Sequence, residues 1–321
     1  MVYKKKLIIL GASAVFLALV YLVTLFFDPS RINARNERFT WLPPGAREEA
    51  DKIEISGSSD EKFELVLRHD RWFALLDGTG GPQEVPVKQG RVDDIFRLLG
   101  TRGAFPRRGS SASSHKNLGL TTDGYRLIIR GGAGLPLLDL LIGQDDVSGK
   151  EVFLRKNGEN EFRSGDRLIG SYVKADKNSW YDLKLFDEAS VEQVQRVRVT
   201  FLDYSGPEDE TPLIGYIDYN ITRSAENWIM EGDSTPLDKD KTETWIRGIL
   251  EVQGDNFLSP QNDFTAARIV VELGDGSTLR LQIGEAIEDG KAPALTGNKP
   301  YVYSLPRWTA TRILRERGYF N

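Results

Sequence analysis

The sequence predicts an α+β protein with one N-terminal transmembrane helix followed by two tandem, duplicated, mostly antiparallel β-sheet domains, each with one or two packed helices. Three observations lead to this prediction. Residues 7–27 form an apolar run without a charge, short stretches of alternating polar and apolar residues follow it, and the second half of the chain repeats the order of the first. Alternation with a period of two is typical of half-buried strands, and interspersed short helices indicate a sheet with helices on one face.

Length and composition exclude several classes of protein. The 321 residues suggest about two domains. The absence of cysteine excludes disulfides, thiolate metal sites and cysteine nucleophiles, and two histidines leave little room for zinc or haem chemistry. The net charge of −5 argues against a nucleic-acid-binding protein, which usually carries a basic stripe. We therefore expect no metal and no cofactor.

The apolar run 7–27 predicts a membrane anchor. Its 21 residues are long enough to cross a hydrocarbon core of roughly 30 Å. Three lysines in the tip 1–6 predict that the N-terminus lies in the cytoplasm and the bulk of the chain outside it. A cleaved signal peptide is the alternative, but bulky residues at the end of the run favour an uncleaved signal-anchor. Gly11, Ala14 and Ala18 share one face, which predicts close packing against another transmembrane helix.

The sequence after the apolar run is predicted to consist of a linker and two domains. Residues 28–50 are predicted to form a polar linker, residues 51–187 the first extracytoplasmic domain and residues 188–321 the second. Residues 1–27 hold three lysines and no acid, so the rest carries 39 basic and 47 acidic residues, a net charge of −8. An acidic domain is repelled by anionic headgroups, and we expect it to stand away from the bilayer.

Elements in the first domain recur in the same order in the second. The predicted strands, helix and glycine-turned hairpin of the first domain lie at 52–55, 63–67, 72–75, 91–99, 125–142 and 152–154. Their predicted counterparts lie at 197–199, 219–223, 228–230, 242–252, 268–284 and 301–303, and a last helix is predicted at 306–317. A repeat of this length indicates two similar domains.

The same ordered features carry a family resemblance. The lysine-rich start and apolar helix, the hairpin with Trp72, the segments Leu118-Gly119-Leu120 and Leu141-Ile142-Gly143, and the stretch 178–182 resemble the bacterial DUF4340 family over nearly the whole chain. Members of that family are often found beside gliding-motility-type ABC transporter components. The resemblance therefore implies an accessory subunit on the outer face of the inner membrane, and it implies no catalytic residues.

Individual residues give few signs of chemistry. His69 is interpreted as a polar turn residue and His115 as part of a surface loop, and the glycines at 131–134 are interpreted as turn residues rather than a phosphate loop. Trp308 is a candidate for the core. Trp180 and Tyr181 lie in a polar stretch between the halves and predict a contact with a partner or between the domains.

The function expected from the sequence is that of a non-enzymatic accessory or structural subunit. It would belong to a bacterial inner-membrane complex of integral membrane proteins, for which the resemblance favours an ABC-type transporter. A structural subunit of a respiratory or photosynthetic assembly is an alternative within the same class. An anchored hydrolase of envelope glycans, which requires paired carboxylates with at least one raised pKa, and an envelope-binding module with an exposed aromatic groove are alternatives from other classes.

Overall fold

The computed structural model describes residues 11, 13–21, 39–57, 62–78, 81–132, 134–203, 215–259, 263–287 and 290–321. Contacts divide this chain into two compact units, which we call unit 1 (residues 1–73 and 88–176) and unit 2 (residues 74–87 and 177–321). The predicted division at 187/188 lies in the interval between the last strand of the first sheet and the first strand of the second.

The α+β class with two antiparallel sheets is confirmed. The first sheet contains nine strands in the order β4-β3-β2-β1-β6-β7-β8-β9-β5, and the second contains eight in the order β12-β11-β10-β14-β15-β16-β17-β13. The strands of the first sheet are β1 (Ala50–Ser56), β2 (Lys62–Arg68), β3 (Arg71–Gly78), β4 (Gly81–Pro86), β5 (Arg107–Gly109), β6 (Tyr125–Gly131), β7 (Pro136–Asp145), β8 (Glu151–Lys156) and β9 (Phe162–Asp166). Those of the second are β10 (Val194–Asp203), β11 (Gly215–Ser224), β12 (Asn227–Met230), β13 (Asn256–Leu258), β14 (Ala267–Leu273), β15 (Thr278–Ile283), β16 (Ala292–Thr296) and β17 (Val302–Leu305). The helices of the described domains are α1 (Ala46–Glu49), α2 (Gln89–Gly100), α3 (Ala112–Asn117), α4 (Arg167–Val173), α5 (Lys239–Leu250) and α6 (Arg307–Ile313).

The main helix of each unit forms because apolar residues recur at helical spacing. In α5, one stripe is buried and consists of Thr242, Trp245, Ile246, Ile249 and Leu250. The stripe in α2 has the same spacing and consists of Val92, Ile95, Phe96, Leu98 and Leu99. Spacings of three and four residues place such side chains on one face, which each helix packs against the inner face of its sheet. Helix α5 begins at Lys239, three residues before the predicted start at 242, and the carboxylate of the preceding Asp238 accepts the N–H of Lys241 at 3.0 Å.

Both sheets carry a β-bulge at the same place. In β1 the pairing with β6 shifts between Ala50 and Lys52, and in β10 the pairing with β14 shifts between Val194 and Arg196. The strand orders also correspond, with β10 taking the place of β1, β14 that of β6 and β15 that of β7. These shared irregularities support the duplication that the sequence predicts, because bulges are specific features of a fold.

One match in the predicted repeat is wrong. Strand 152–154 was expected to correspond to 301–303, but β17 occupies the position of β9, next to the short edge strand in its sheet, and β16 occupies that of β8. The sequence pattern misled because the intervening strand β16, Ala292-Pro293-Ala294-Leu295-Thr296, has no aromatic residue, only one β-branched residue, and a proline in its interior.

The predicted polar linker 28–50 is wrong for its described part. Trp41 and Leu42 are buried, and their N–H groups donate to the carbonyl oxygen of Leu99 at 3.1 and 3.3 Å. The ring of Phe39 contacts that of Trp41 and lies under the guanidinium of Arg163, 3.6 Å away. Unit 1 therefore includes residues from Phe39 onward, since aromatic rings gain more free energy in a core than in a solvated spacer.

The N-terminal segment is described only in part. Gly11 and residues 13–21 are helical and exposed, and the other residues of the predicted anchor 7–27 lie outside the described residues. Within the ranges that the structure describes, no helix is both long enough and apolar enough to span a membrane. The anchor stays a prediction.

Candidate functional site

The residues predicted to contact partners have different surroundings. Gly11, Ala14 and Ala18 lie in the exposed helical segment, and their packing against another transmembrane helix stays a prediction. Trp180 and Tyr181 are 1% and 0% exposed. Their side chains are therefore not presented to solvent, and their role in a contact between the domains stays a prediction.

Tyr181 lies within unit 2 in an aromatic group. Its backbone bridges Val87, and its ring centroid lies 5.5 Å from that of Phe257. Trp180 follows a short 3₁₀ turn, and its N–H donates to the carbonyl oxygen of Lys177 at 2.9 Å. Burial of large aromatic rings in the core explains both residues.

The histidines divide into one exposed and one buried residue. His69 lies at the exposed β2–β3 turn, and both His69 and Asp70 have positive φ, 47° and 64°, as the tightest hairpin turns require. The expectation of a surface loop for His115 is wrong, because this residue lies in α3 and is buried. Its Nε2 lies 2.9 Å from the carbonyl oxygen of Asn160, and its ring meets Phe162 edge to face. No group of three or more metal-ligating side chains occurs among the described residues.

The glycine segments are hairpin turns, as predicted. Gly134 and Gly276 both have positive φ, 72° and 84°, and each lies between two paired strands. A side chain would strain the backbone at such positions, which explains glycine without a ligand.

The most distinctive surface of unit 2 is the outer face of α6. We call this surface, formed by Arg307, Trp308, Thr311, Arg312 and Arg315, the Trp308 face. The helical period explains this surface. Thr309 and Ile313 are buried, so the residues on the opposite side of α6 face solvent. Trp308 is 65% exposed, which corrects its assignment to the core.

The arginines of the Trp308 face are not neutralised by the protein. The guanidinium of Arg312 lies 5.3 Å from the Trp308 ring centroid, and that of Arg315 lies 4.8 Å from the Tyr319 ring. Within the described part of the chain, no carboxylate oxygen lies within 4 Å of the guanidinium nitrogens of Arg307, Arg312 or Arg315. Stacking of a guanidinium on an exposed ring contributes only about 0.5–1 kcal/mol, so the positive charge is available to a partner.

Two depressions border this face. One, of about 660 Å³, is lined by the residues of the Trp308 face itself. The other, of about 540 Å³, shares Arg312 and is also lined by Lys184, Phe186, Glu188 and Val252. An exposed aromatic ring that lines a shallow depression is a shape that another surface can engage.

Buried hydrogen bonds hold α6 in place. The indole N–H of Trp245 donates to the carbonyl oxygen of Ile313 at 2.9 Å, and both residues are buried. The hydroxyl of Tyr219 donates to the carbonyl oxygen of Arg315 at 2.6 Å, and burial raises the pKa of this hydroxyl. Two carbonyl groups at the C-terminal end of α6 are therefore hydrogen-bonded to core side chains, and these bonds hold the Trp308 face in one position.

Unit 1 provides an internal comparison. Helix α4 occupies the place of α6, and its second residue, Leu168, is half-buried where Trp308 is exposed. The Tyr172 hydroxyl donates to Asp94 at 2.9 Å, and Arg167 forms an ion pair with Asp145 at 3.0 Å. The polar groups of α4 therefore bond within unit 1, whereas α6 presents an aromatic ring and arginines that form no ion pair among the residues described.

The carboxylates of the described chain show one direction of shift. Every carboxylate whose pKa departs from its ordinary value has a lowered pKa, caused chiefly by hydrogen bonds to the charged form: Glu54, Asp94, Asp139, Asp146, Glu192, Asp233 and Asp275. The raised pKa that a glycosidase acid requires is not found on any of them.

Comparisons with known proteins give no relative. No protein-family model, curated protein or solved structure matches the chain.

Proposed function

We propose that this chain is a non-enzymatic accessory subunit that binds another protein through the Trp308 face. The observation that carries the proposal is the 65% exposure of Trp308 beside arginines that form no ion pair with any residue the structure describes. Tryptophan and arginine are among the residues most enriched in the binding hot spots of protein interfaces.

The wider setting follows from the sequence. The apolar run 7–27 anchors the chain in a bacterial inner membrane, and the two units lie in the periplasm beside integral membrane proteins. Gly11, Ala14 and Ala18 provide the packing face of the anchor. An ABC-type transporter is the partner complex that the resemblance to the DUF4340 family favours. Under this proposal the anchor contributes proximity, and the Trp308 face contributes specific recognition.

Site-specific photo-crosslinking in cells tests the proposal. A photoreactive amino acid is placed at Thr311, next to Trp308, and as a control at Glu226, an exposed residue of the β11–β12 turn in the same unit. We expect one defined adduct from position 311, identified by mass spectrometry as a single membrane protein, and none from position 226.

The contact must also depend on the indole ring. Trp308→Ala should abolish the adduct from position 311 while the chain remains folded and membrane-associated, because truncating a hot spot typically costs more than about 2 kcal/mol. Equal adducts from both positions, no adduct at all, or an adduct that survives Trp308→Ala would each refute the Trp308 face as the docking surface.

A further inference from the structure

The outer faces of the two sheets can be compared position by position. Pairing registers, rather than sequence similarity, establish which residues are equivalent. Lys52 and Glu54 on β1 correspond to Arg196 and Arg198 on β10, since each pair follows the same bulge. The remaining equivalences are Glu64 with Asn220, Arg130 with Glu272, Arg126 with Arg268, and Asp139 with Arg280.

In unit 1 these six positions neutralise one another. Arg130 donates to both carboxylate oxygens of Glu54 at 2.9 and 3.1 Å, and Arg126 donates to both oxygens of Asp139 at 2.7 and 2.5 Å. Lys52 lies 3.1 Å from Glu54 and 3.0 Å from Glu64. Three cations meet three carboxylates, and paired charges of this kind are typical of a solvated face that binds nothing.

In unit 2 all three carboxylates of this set are missing. Arg198, Asn220 and Arg280 stand in their places, so the six positions hold four arginines and one glutamate, a net charge of +3. Arg196 is 3.8 Å from Glu272. The guanidinium of Arg198 donates to the neutral amide of Asn220 at 2.9 Å.

The two remaining arginines of this set have no acidic partner within the ranges that the structure describes. Arg268 and Arg280 are exposed, and neither guanidinium lies within 4 Å of a carboxylate oxygen there. The nearby Asp218 accepts the hydroxyl of Thr200 at 3.1 Å and lies at the rim of the set, on the strand outside β10. Arg268 lies opposite Thr200 and Gln282, and Arg280 lies opposite Val270, so neither arginine has a charged partner in these pairings and both are exposed to a ligand.

We propose that the outer face of this sheet, formed by Arg196, Arg198, Arg268 and Arg280, binds an acidic polypeptide segment. The carboxylates of that segment take the positions that Glu54, Glu64 and Asp139 fill in unit 1. Unit 1 shows that this strand geometry accommodates two-point contacts between guanidinium and carboxylate, the strongest form of this interaction. We therefore infer a ligand that carries carboxylates, because carboxylates occupy the equivalent positions in unit 1.

The shape of the face favours an extended ligand. Its arginines lie on three adjacent strands about 4.8 Å apart, and those on one strand repeat at roughly 6.6–6.8 Å, the same period at which an extended acidic chain presents alternate carboxylates. The residues around them are polar, among them Thr200, Thr222, Thr278 and Gln282, and at the edge of the set the side-chain amide of Asn220 donates to the carboxylate of Glu231. This surface is separate from the Trp308 face, because α6 lies on the other side of the sheet, where Val197, Val199 and Ile269 are buried.

A binding measurement with poly-L-glutamate tests this inference. The full chain is held in an uncharged detergent, and fluorescently labelled poly-L-glutamate is titrated by anisotropy at low and at physiological salt. The test variant Arg198→Glu with Arg280→Asp gives unit 2 the residue types that unit 1 has at those positions. The control variant Arg102→Glu with Lys239→Glu makes the same change of net charge at exposed sites away from the face.

We expect the wild-type chain and the control to bind, with affinity falling as salt rises, and the test variant to bind at least about tenfold more weakly. The test variant should unfold at the same or a higher temperature than the wild type, because it relieves repulsion. Trp308→Ala should leave the binding of poly-L-glutamate unchanged. The experiment therefore tests the basic face separately from the proposed binding of a partner protein to the Trp308 face. No binding by the wild type, an equal loss in test and control variants, or binding of polyphosphate but not of poly-L-glutamate would overturn the inference.

Discussion

The hydrogen bond that fixes α6 offers the clearest quantitative test of the structure. Trp245 is 3% exposed, and its indole N–H is the group that satisfies the carbonyl oxygen of Ile313. Trp245→Phe keeps an aromatic ring in the core but removes this donor. The carbonyl group is then left buried without a partner, which costs about 1–3 kcal/mol, and the smaller ring leaves a cavity that adds to the loss.

The expected total is about 2–4 kcal/mol of the free energy of unfolding of unit 2. With a urea dependence of about 2 kcal/mol per molar, the midpoint of the second unit's transition should fall by about 1–2 M. The assay is urea unfolding of the full chain followed by far-ultraviolet circular dichroism. Trp308→Phe is the matched control, and the same chemical change at this exposed residue should shift the free energy by no more than about 0.5 kcal/mol. Equal midpoints for the two variants would show that the hydrogen bond from Trp245 to Ile313 does not stabilise α6 as described.

Two further outcomes are expected. The hydrogen bonds from Arg130 hold the pKa of Glu54 below its ordinary value of 4.5, so this carboxylate stabilises unit 1 above that pH and loses its contribution as the pH falls through the lower folded value. Thermal unfolding between about pH 6 and pH 3 should therefore show a smaller acid loss in Glu54→Gln than in the wild type. Asp238→Ala removes the carboxylate that begins α5 and should lower the free energy of unfolding by about 1 kcal/mol, measured by denaturant titration.

Each of these outcomes has a matched comparison. Asp240→Ala changes an exposed aspartate in the first turn of α5 that makes no cap, and it should cost less than Asp238→Ala. A cost as large for Asp240→Ala would show that charge near the helix end, not the capping bond, is responsible. Parallel acid profiles for the wild type and Glu54→Gln would show that the ion pairs with Arg130 and Lys52 do not depend on pH as described.

The sequence predicts what depends on local periodicity. Alternating residues such as Arg196-Val197-Arg198-Val199 identify strands because every second side chain must be buried, and the helical spacing in α5 identifies its inner face. Burial set by residues distant in sequence is not visible in such patterns. His115 stands in a serine-rich stretch that indicates a loop, but its partner Asn160 lies 45 residues away. Trp308 looked like a core residue because tryptophan usually is one, and only the orientation of α6 exposes it.

The basic outer face was equally hidden in the sequence. Arg198 and Arg280 are 82 positions apart, and only the pairing of β10 with β14 and of β14 with β15 brings them to the same face. A comparison of the two copies could have revealed this face, since the positions of Arg198 and Arg280 are occupied in unit 1 by Glu54 and Asp139. The pairing register of the strands was needed to align these residues, because the loops differ in length between the two halves of the sequence.

The bulge at Gln195 decides which side of the sheet faces solvent at the start of β10. Val194 and Arg196 are both even-numbered residues and would share a face in a regular strand, yet Val194 is buried and Arg196 lies outside. One extra residue therefore reverses the alternation at the entrance to the second sheet. Deleting Gln195 would make Val194 and Arg196 consecutive, so they would keep opposite faces in a regular strand, and what would be lost is the local bend and extra twist that the bulge adds. Asp51 is the extra residue at the same place in unit 1, so a chain shortened at either position is expected to keep its pattern of buried and exposed residues and to begin its sheet with a straighter strand.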